Sequence, residues 1–211
     1  MRRLPIESLE KFQGVAFSTA DLRTDLNDYD AVRMKISRLV KEGVLVRLRR
    51  DFFCIGRAYS ERPIELGVIA NALYGPSYVS FDTALSLYGL IPERTYLTMS
   101  AVVKRGKYYR TPFGPFSYYQ IPEKVWGVGA RVERTANGSY MIANPTKALC
   151  DTLLRKRRLR VTSPKTLRDF MEVDMRFDFD YLGDPDMDVL RAYATCGRKT
   201  GLFRALERMF S

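Results

Sequence analysis

The stretch FSTADLRTDLNDYDAVRMKISRLVKEGVLVRLRRDFFCIGR, residues 17–57, decides how the N-terminal end of the chain folds. Ser18 suits the start of a short helix, its hydroxyl accepting from the unpaired amides of the next turn. Asp21, three residues on, stands at a capping-box position near the positive helix end. Ala20, Leu22 and Leu26 supply apolar contacts, and Asn27-Asp28 break the helix because short polar side chains bond back to their own backbone. A second helix is predicted from about Tyr29 to Glu42, with Val32, Ile36, Leu39 and Val40 on one inward stripe. At about 100° per residue, Asp30, Met34, Ser37, Arg38 and Lys41 point away from that stripe, with Arg33 and Lys35 on its flanks. Gly43 follows where a left-handed cap stops the helix.

A hairpin is expected from Val44 to Ile55, turning at Arg50-Asp51, where Asp51 tolerates a left-handed backbone better than most residues. Arg47 and Arg49 alternate with Leu45, Val46 and Leu48, which puts both arginines on one face of the ribbon. Helix, turn, basic helix and basic hairpin in this order predict a winged helix-turn-helix, with one helix in the DNA major groove and a β-wing on the flanking backbone. Two plainer readings stay open at this point. The helix face could be only solvated charge, and the basic hairpin could only discourage edge-to-edge aggregation.

Thirty-five basic against 24 acidic residues leave a formal net charge of +11, which favours a polyanionic partner. The excess is spread out: 13 basic and 9 acidic residues in 1–63, 8 and 5 in 64–145, and 14 and 10 in 146–211. A basic surface that continues past the first 60 residues is therefore compatible with the sequence. With no histidine, a His-dependent triad, a Cys–His dyad and any histidine metal site are excluded. Cys54, Cys150 and Cys196 are odd in number and far apart, so they read as reduced thiols rather than a zinc or disulfide set. No apolar run follows Met1-Arg2-Arg3 and no 18-residue apolar segment occurs, which predicts a cytoplasmic chain without a membrane span.

Residues 58–63, AYSERP, form a polar connector. Helical spacing follows over 64–74 and from Ser80 to a stop at Gly89, then strand patterns between residues 96 and 144, with Asn137-Gly138 as a hairpin signal. Helices return over 146–154, from Ser163-Pro164, over 187–195 and over 199–210. The expected architecture is α+β. A winged helix-turn-helix domain covers residues 1–60, and a mixed α/β C-terminal domain covers 61–211, with an antiparallel sheet and terminal helices.

The string YGPSYVSFDTALSLYGLIPE (residues 74–93), with NPTKALCDTL (residues 144–153), resembles the AbiEi antitoxin family of bacterial abortive-infection systems. Together with the N-terminal helices and hairpin, the resemblance spans most of residues 15–155. It implies an N-terminal domain that represses its own operon at promoter inverted repeats, and a C-terminal part that carries antitoxicity. It also implies a nucleotidyltransferase-like toxin encoded next door and opposed without a stable complex, the type IV arrangement. Family members often have Arg-Gly at the wing turn, whereas this chain has Arg50-Asp51.

On these grounds Arg33, Met34, Ser37 and Arg38 are expected nearest the base edges or adjoining phosphates of double-stranded DNA. Lys35, Lys41, Arg47, Arg49 and Arg50 are expected on phosphate or in a minor groove. The run Arg155, Lys156, Arg157, Arg158 and Arg160 is a candidate additional DNA contact or a solvated helix end. Two protein copies would occupy an inverted repeat without needing to be dimeric in solution.

No catalytic residue, metal or cofactor enters this reading. Two alternatives accompany it. The C-terminal helices from Pro164 onward could bind a toxin directly, or the aspartates at 174, 178, 180, 184, 186 and 188 could form a metal-dependent nuclease site. Asp186 also suits a helix N-cap. The aromatics Tyr108, Tyr109, Phe113, Phe116, Tyr118 and Tyr119, with Lys107 and Arg110, read as core and cross-strand pairs before they read as a stacking platform for bases.

Overall fold

The computed structural model describes residues 7–23, 29–62, 64–159, 161 and 163–211. A 3-10 turn, Glu7–Phe12, leads into β1 (Ala16–Ser18) and α1 (Thr19–Arg23). The expected break at Asn27-Asp28 lies outside the described residues. Then come α2 (Tyr29–Lys41), β2 (Leu45–Arg49) and β3 (Phe52–Ile55). β3 is central in a three-stranded antiparallel sheet, with β1 and β2 on its two sides.

Local chemistry explains the helix ends. Ser18 and Asp21 form a reciprocal cap. The Ser18 amide donates to Asp21 Oδ2 at 2.6 Å and the Asp21 amide donates to Ser18 Oγ at 3.3 Å. The Ser18 amide, and after it the Ser18 hydroxyl, hold the Asp21 carboxyl below its ordinary value. At the far end of α2, Gly43 takes φ +73°. Its amide reaches the Val40 carbonyl at 3.1 Å and the next amide reaches Leu39 at 2.9 Å, the paired bonds of a Schellman stop. The inward stripe of α2 is borne out at Ile36 and Leu39, which are buried, and in part at Val40, which is half-buried. With Leu9, Phe12, Phe17, Leu22, Val44, Leu45, Phe53 and Ile55 they form a small core.

The remaining chain builds α3 (Leu66–Leu73), β4 (Tyr78–Val79), α4 (Phe81–Leu87), β5 (Thr98–Val102), β6 (Lys107–Thr111), β7 (Gly114–Gln120) and α5 (Glu123–Trp126). After these come β8 (Ala130–Thr135), β9 (Gly138–Ala143), α6 (Pro145–Arg155), α7 (Pro164–Val173), α8 (Met187–Thr195) and α9 (Thr200–Phe210). The second sheet has six strands in the order β6-β7-β5-β4-β9-β8. It is mixed, which corrects the antiparallel expectation. β7 inserts between β5 and β6, and since the chain reverses twice on the way it lies parallel to β5. The two-residue β4 likewise pairs parallel with β9. β5 is buried along its whole length, as suits a central strand covered on both faces.

This larger core extends into the hairpin, because Leu48 and Cys54 belong to it. A buried polar network crosses it. The Asp151 carboxylate accepts from Tyr78 Oη at 2.9 Å, from Ser80 Oγ at 2.6 Å and from Tyr193 Oη. Lys147, one turn earlier on α6 and also fully buried, donates to the Val125 carbonyl and to Tyr193 Oη. Burial lowers the Lys147 pKa, opposed by the nearby Asp151. The network thereby ties β4, the start of α4, α5, α6 and α8 together. Among the described residues no helix is long and apolar enough to cross a membrane.

Asp151→Ala would leave the Lys147 ammonium buried without its counter-charge, and a loss of about 3–5 kcal/mol in urea unfolding is expected. Ser18→Ala should cost about 1 kcal/mol at neutral pH. Because the cap lowers the Asp21 pKa in the folded state, its contribution is present above the unfolded value of 3.8 and fades as pH falls below it. The stability gap between wild type and Ser18→Ala should therefore narrow in acid, as unfolding at pH 7 and below pH 3.8 can check.

Candidate nucleic-acid interface

A groove of about 620 Å³ runs between α2, the start of α1 and the β2–β3 hairpin. Arg33, Ile36 and Ser37 line it from α2, Arg47, Arg50, Asp51 and Phe53 from the hairpin, Ser18 from the end of β1, and Thr19 and Ala20 from α1. Arg33 of α2 and Arg47 and Arg50 of the hairpin therefore face one concavity, and the carboxylate of Asp51 is held at its edge, 3.5 Å from Arg50. Asp51 takes φ +57°, so the turn expected at Arg50-Asp51 forms there. Its carbonyl accepts from the Thr19 amide at 3.1 Å, which docks the hairpin tip on the first turn of α1. The Arg50 side chain is 96% exposed. Arg47 lies over the Phe53 ring, 5.5 Å from its centre, so its guanidinium is oriented while still bordering the groove.

On α2, Met34 is 71% exposed, Ser37, Arg38 and Lys41 are exposed, and Lys35 is half-buried. Arg38 pairs with Glu42 one turn on at 3.3 Å, an exposed pair that holds the side chain only weakly. The outward face of α2 thus continues from the groove.

Arg49 does not join this face. Alternation alone would put it beside Arg47, but the β2–β3 register shifts between them: Arg47 opposes Phe53 and Arg49 opposes Phe52. Leu48 is the extra residue of a β-bulge, and it plunges into the larger core. Beyond the bulge Arg49 turns toward α3. Its Nε donates to the Leu73 carbonyl at 3.1 Å and its guanidinium stacks on Phe52 at 4.6 Å.

Near this point stand cations that the sequence reading did not single out as a group. Lys104 donates to the Gly75 carbonyl and sits 4.0 Å from the centre of the Tyr74 ring, with Lys107 4.8 Å from the same ring. The Tyr74 hydroxyl donates to the Arg105 carbonyl at 2.9 Å. The signal was the run Lys104-Arg105-Gly106-Lys107 between two strands. The aromatics around it are mostly structural, since Phe116 and Tyr118 are buried, Tyr109 packs edge-on to Tyr118, and only Tyr108 is largely exposed.

The basic run after α6 divides. Arg155 is half-buried and already engaged: it pairs with Asp82 at 3.3 Å and stacks on Tyr119 at 4.9 Å. Lys156 borders a shallow cleft with Asp82, Glu93 and Asp174, an acidic setting. Arg157 and Arg158 are exposed, and Arg160 lies outside the described residues. Two of the candidate nuclease aspartates serve local structure. Asp186 caps α8 through the amides of Asp188 and Val189, and Asp178 accepts from the Asp180 amide. Among the described residues no group of three carboxylates, cysteines or histidines could hold a metal ion.

No family model matches the chain, and no curated protein matches it.

Arg155→Ala should lower stability by about 1–2 kcal/mol, by stranding Asp82 and losing the ring contact, and should leave the salt dependence of duplex binding unchanged. Denaturation together with binding titrations at several salt concentrations checks both.

Proposed function

We propose that residues 16–55 act as a winged helix-turn-helix and that the protein is a DNA-binding transcriptional repressor. In this reading it is the antitoxin of a bacterial type IV toxin–antitoxin system, held in the cytoplasm and repressing its own operon at inverted repeats. The observation that carries the DNA part is the convergence of Arg33, Arg47 and Arg50 on one groove beside the exposed face of α2. α2 would lie in the major groove with Met34, Ser37 and Arg38 toward the bases, while Arg33, Arg47 and Arg50 neutralise phosphates on either side. The antitoxin part rests on the resemblance of residues 74–93 and 144–153, and the toxin is a functional partner rather than a bound one.

A second reading, direct capture of the toxin, draws on one observation. Leu87 and Tyr181 are large apolar side chains left exposed near the same turn, with the Tyr181 ring against Gly89. Co-expression with the product of the adjacent gene separates the two. Relief of toxicity without a co-purifying complex supports the type IV reading, and a stable stoichiometric complex overturns it in favour of capture.

Binding to a duplex from the chain's own upstream region tests the DNA part. Arg38→Ala should weaken that site by about 1–3 kcal/mol relative to a random duplex if Arg38 reads a base. Replacing Arg33, Arg47 and Arg50 together should flatten the slope of log affinity against log salt by about 3 units. Undiminished affinity of the triple variant would overturn the proposed docking.

A further inference from the structure

We infer that Arg49 is a positioning residue, a strut that fixes the angle of the β2–β3 hairpin against the C-terminal part and makes no phosphate contact itself. The inference rests on the duplex-binding reading above.

The geometry gives the Arg49 guanidinium work on both sides of a junction. Toward the C-terminal part its Nε–H points at the carbonyl of Leu73, the last residue of α3, where unpaired carbonyls concentrate partial negative charge. Toward the hairpin its Nη1 donates to the Arg50 carbonyl at 3.3 Å, and its flat face covers Phe52. One planar fork therefore links the tip of the hairpin to the end of α3. Lys104 donates to the Gly75 carbonyl two residues on, so cations from two different elements meet the chain just past α3.

The larger core holds the hairpin along its strands, through Leu48 and Cys54 with Val46 and Phe52 packed beside them. The Thr19 amide ties the tip to α1. Arg49 adds the directional polar tie between the tip and the C-terminal part. What the strut holds in place is Arg50, whose own side chain is almost wholly exposed and has only the neighbouring Asp51 as an ion partner among the described contacts. Without the strut the hairpin tip would spend part of its time at angles that do not match a duplex. Apparent affinity falls in proportion to the fraction of molecules in the matching state.

A strut and a phosphate contact make opposite predictions. Loss of a phosphate contact flattens the salt slope by about one unit, and Lys, which keeps the charge, largely restores binding. Loss of a strut weakens binding with the slope unchanged, and Lys fails, because a point charge cannot hold the carbonyls and the ring face at once. The test is binding of a short random-sequence duplex over a salt series by wild type, Arg49→Ala, Arg49→Lys, Arg47→Ala and Arg50→Ala.

Both Arg49 variants should bind about 5- to 10-fold more weakly with the wild-type slope, a loss consistent with a competent fraction of roughly 0.1–0.2. Arg47→Ala and Arg50→Ala should each flatten the slope by about one unit. Full recovery in Arg49→Lys, or a flattened slope in Arg49→Ala, overturns the strut while leaving the duplex reading intact. Unchanged slopes in Arg47→Ala and Arg50→Ala overturn the duplex reading itself.

In the wild-type chain the Arg49 Nε–H resonance should stay unshifted when the duplex is added, a readout that needs no folded variant. A large shift there counts against the strut.

Discussion

One extra residue in a short strand decides where the arginines of the hairpin go. Leu48 lies on the Val46 face of the ribbon, which the larger core covers, and the bulge there leaves Arg47 bordering the groove while Arg49 turns toward the end of α3. In a regular ladder Arg47 and Arg49 would stand together on one side. The division of the two arginines between the groove and the junction with the C-terminal part is thus a consequence of a single register shift.

The larger core depends on a different device. Asp151 gathers three hydroxyl donors from β4, the α4 cap and α8, and Lys147 sits one turn away on the same helix. Burying a carboxylate and an ammonium is costly, and the arrangement is tolerable because the carboxylate has three donors and the ammonium two acceptors and two ring faces. Two stretches of sequence meet in this network, Tyr78 and Ser80 from residues 74–93 and Lys147 and Asp151 from residues 144–153. Those stretches therefore describe how the C-terminal part is assembled.

Much of the fold could be read from local rules. The Ser18–Asp21 cap, the apolar stripe and glycine stop of α2, the left-handed turn at Asp51 and the helices over 187–195 and 199–210 all follow from short-range spacing or capping. What escaped depends on long-range pairing. β1 and β4 are three and two residues long and exist only because other strands accept them. The insertion of β7 between β5 and β6 has no local signature, nor does the bulge, because Val46-Arg47-Leu48-Arg49 alternates regularly along the sequence. The same limit applies to charge. Arg155 belongs by sequence to a basic run, yet Asp82, 73 positions away, claims it.

The account stands or falls on α2 and the hairpin forming one surface that meets duplex DNA. Amide hydrogen exchange of the full chain, with and without a saturating duplex, tests that most directly. Protection should rise together over residues 33–41 and 47–51 and stay unchanged in α7, α8 and α9. Protection confined to the C-terminal helices, or none anywhere when the duplex is bound, would contradict it.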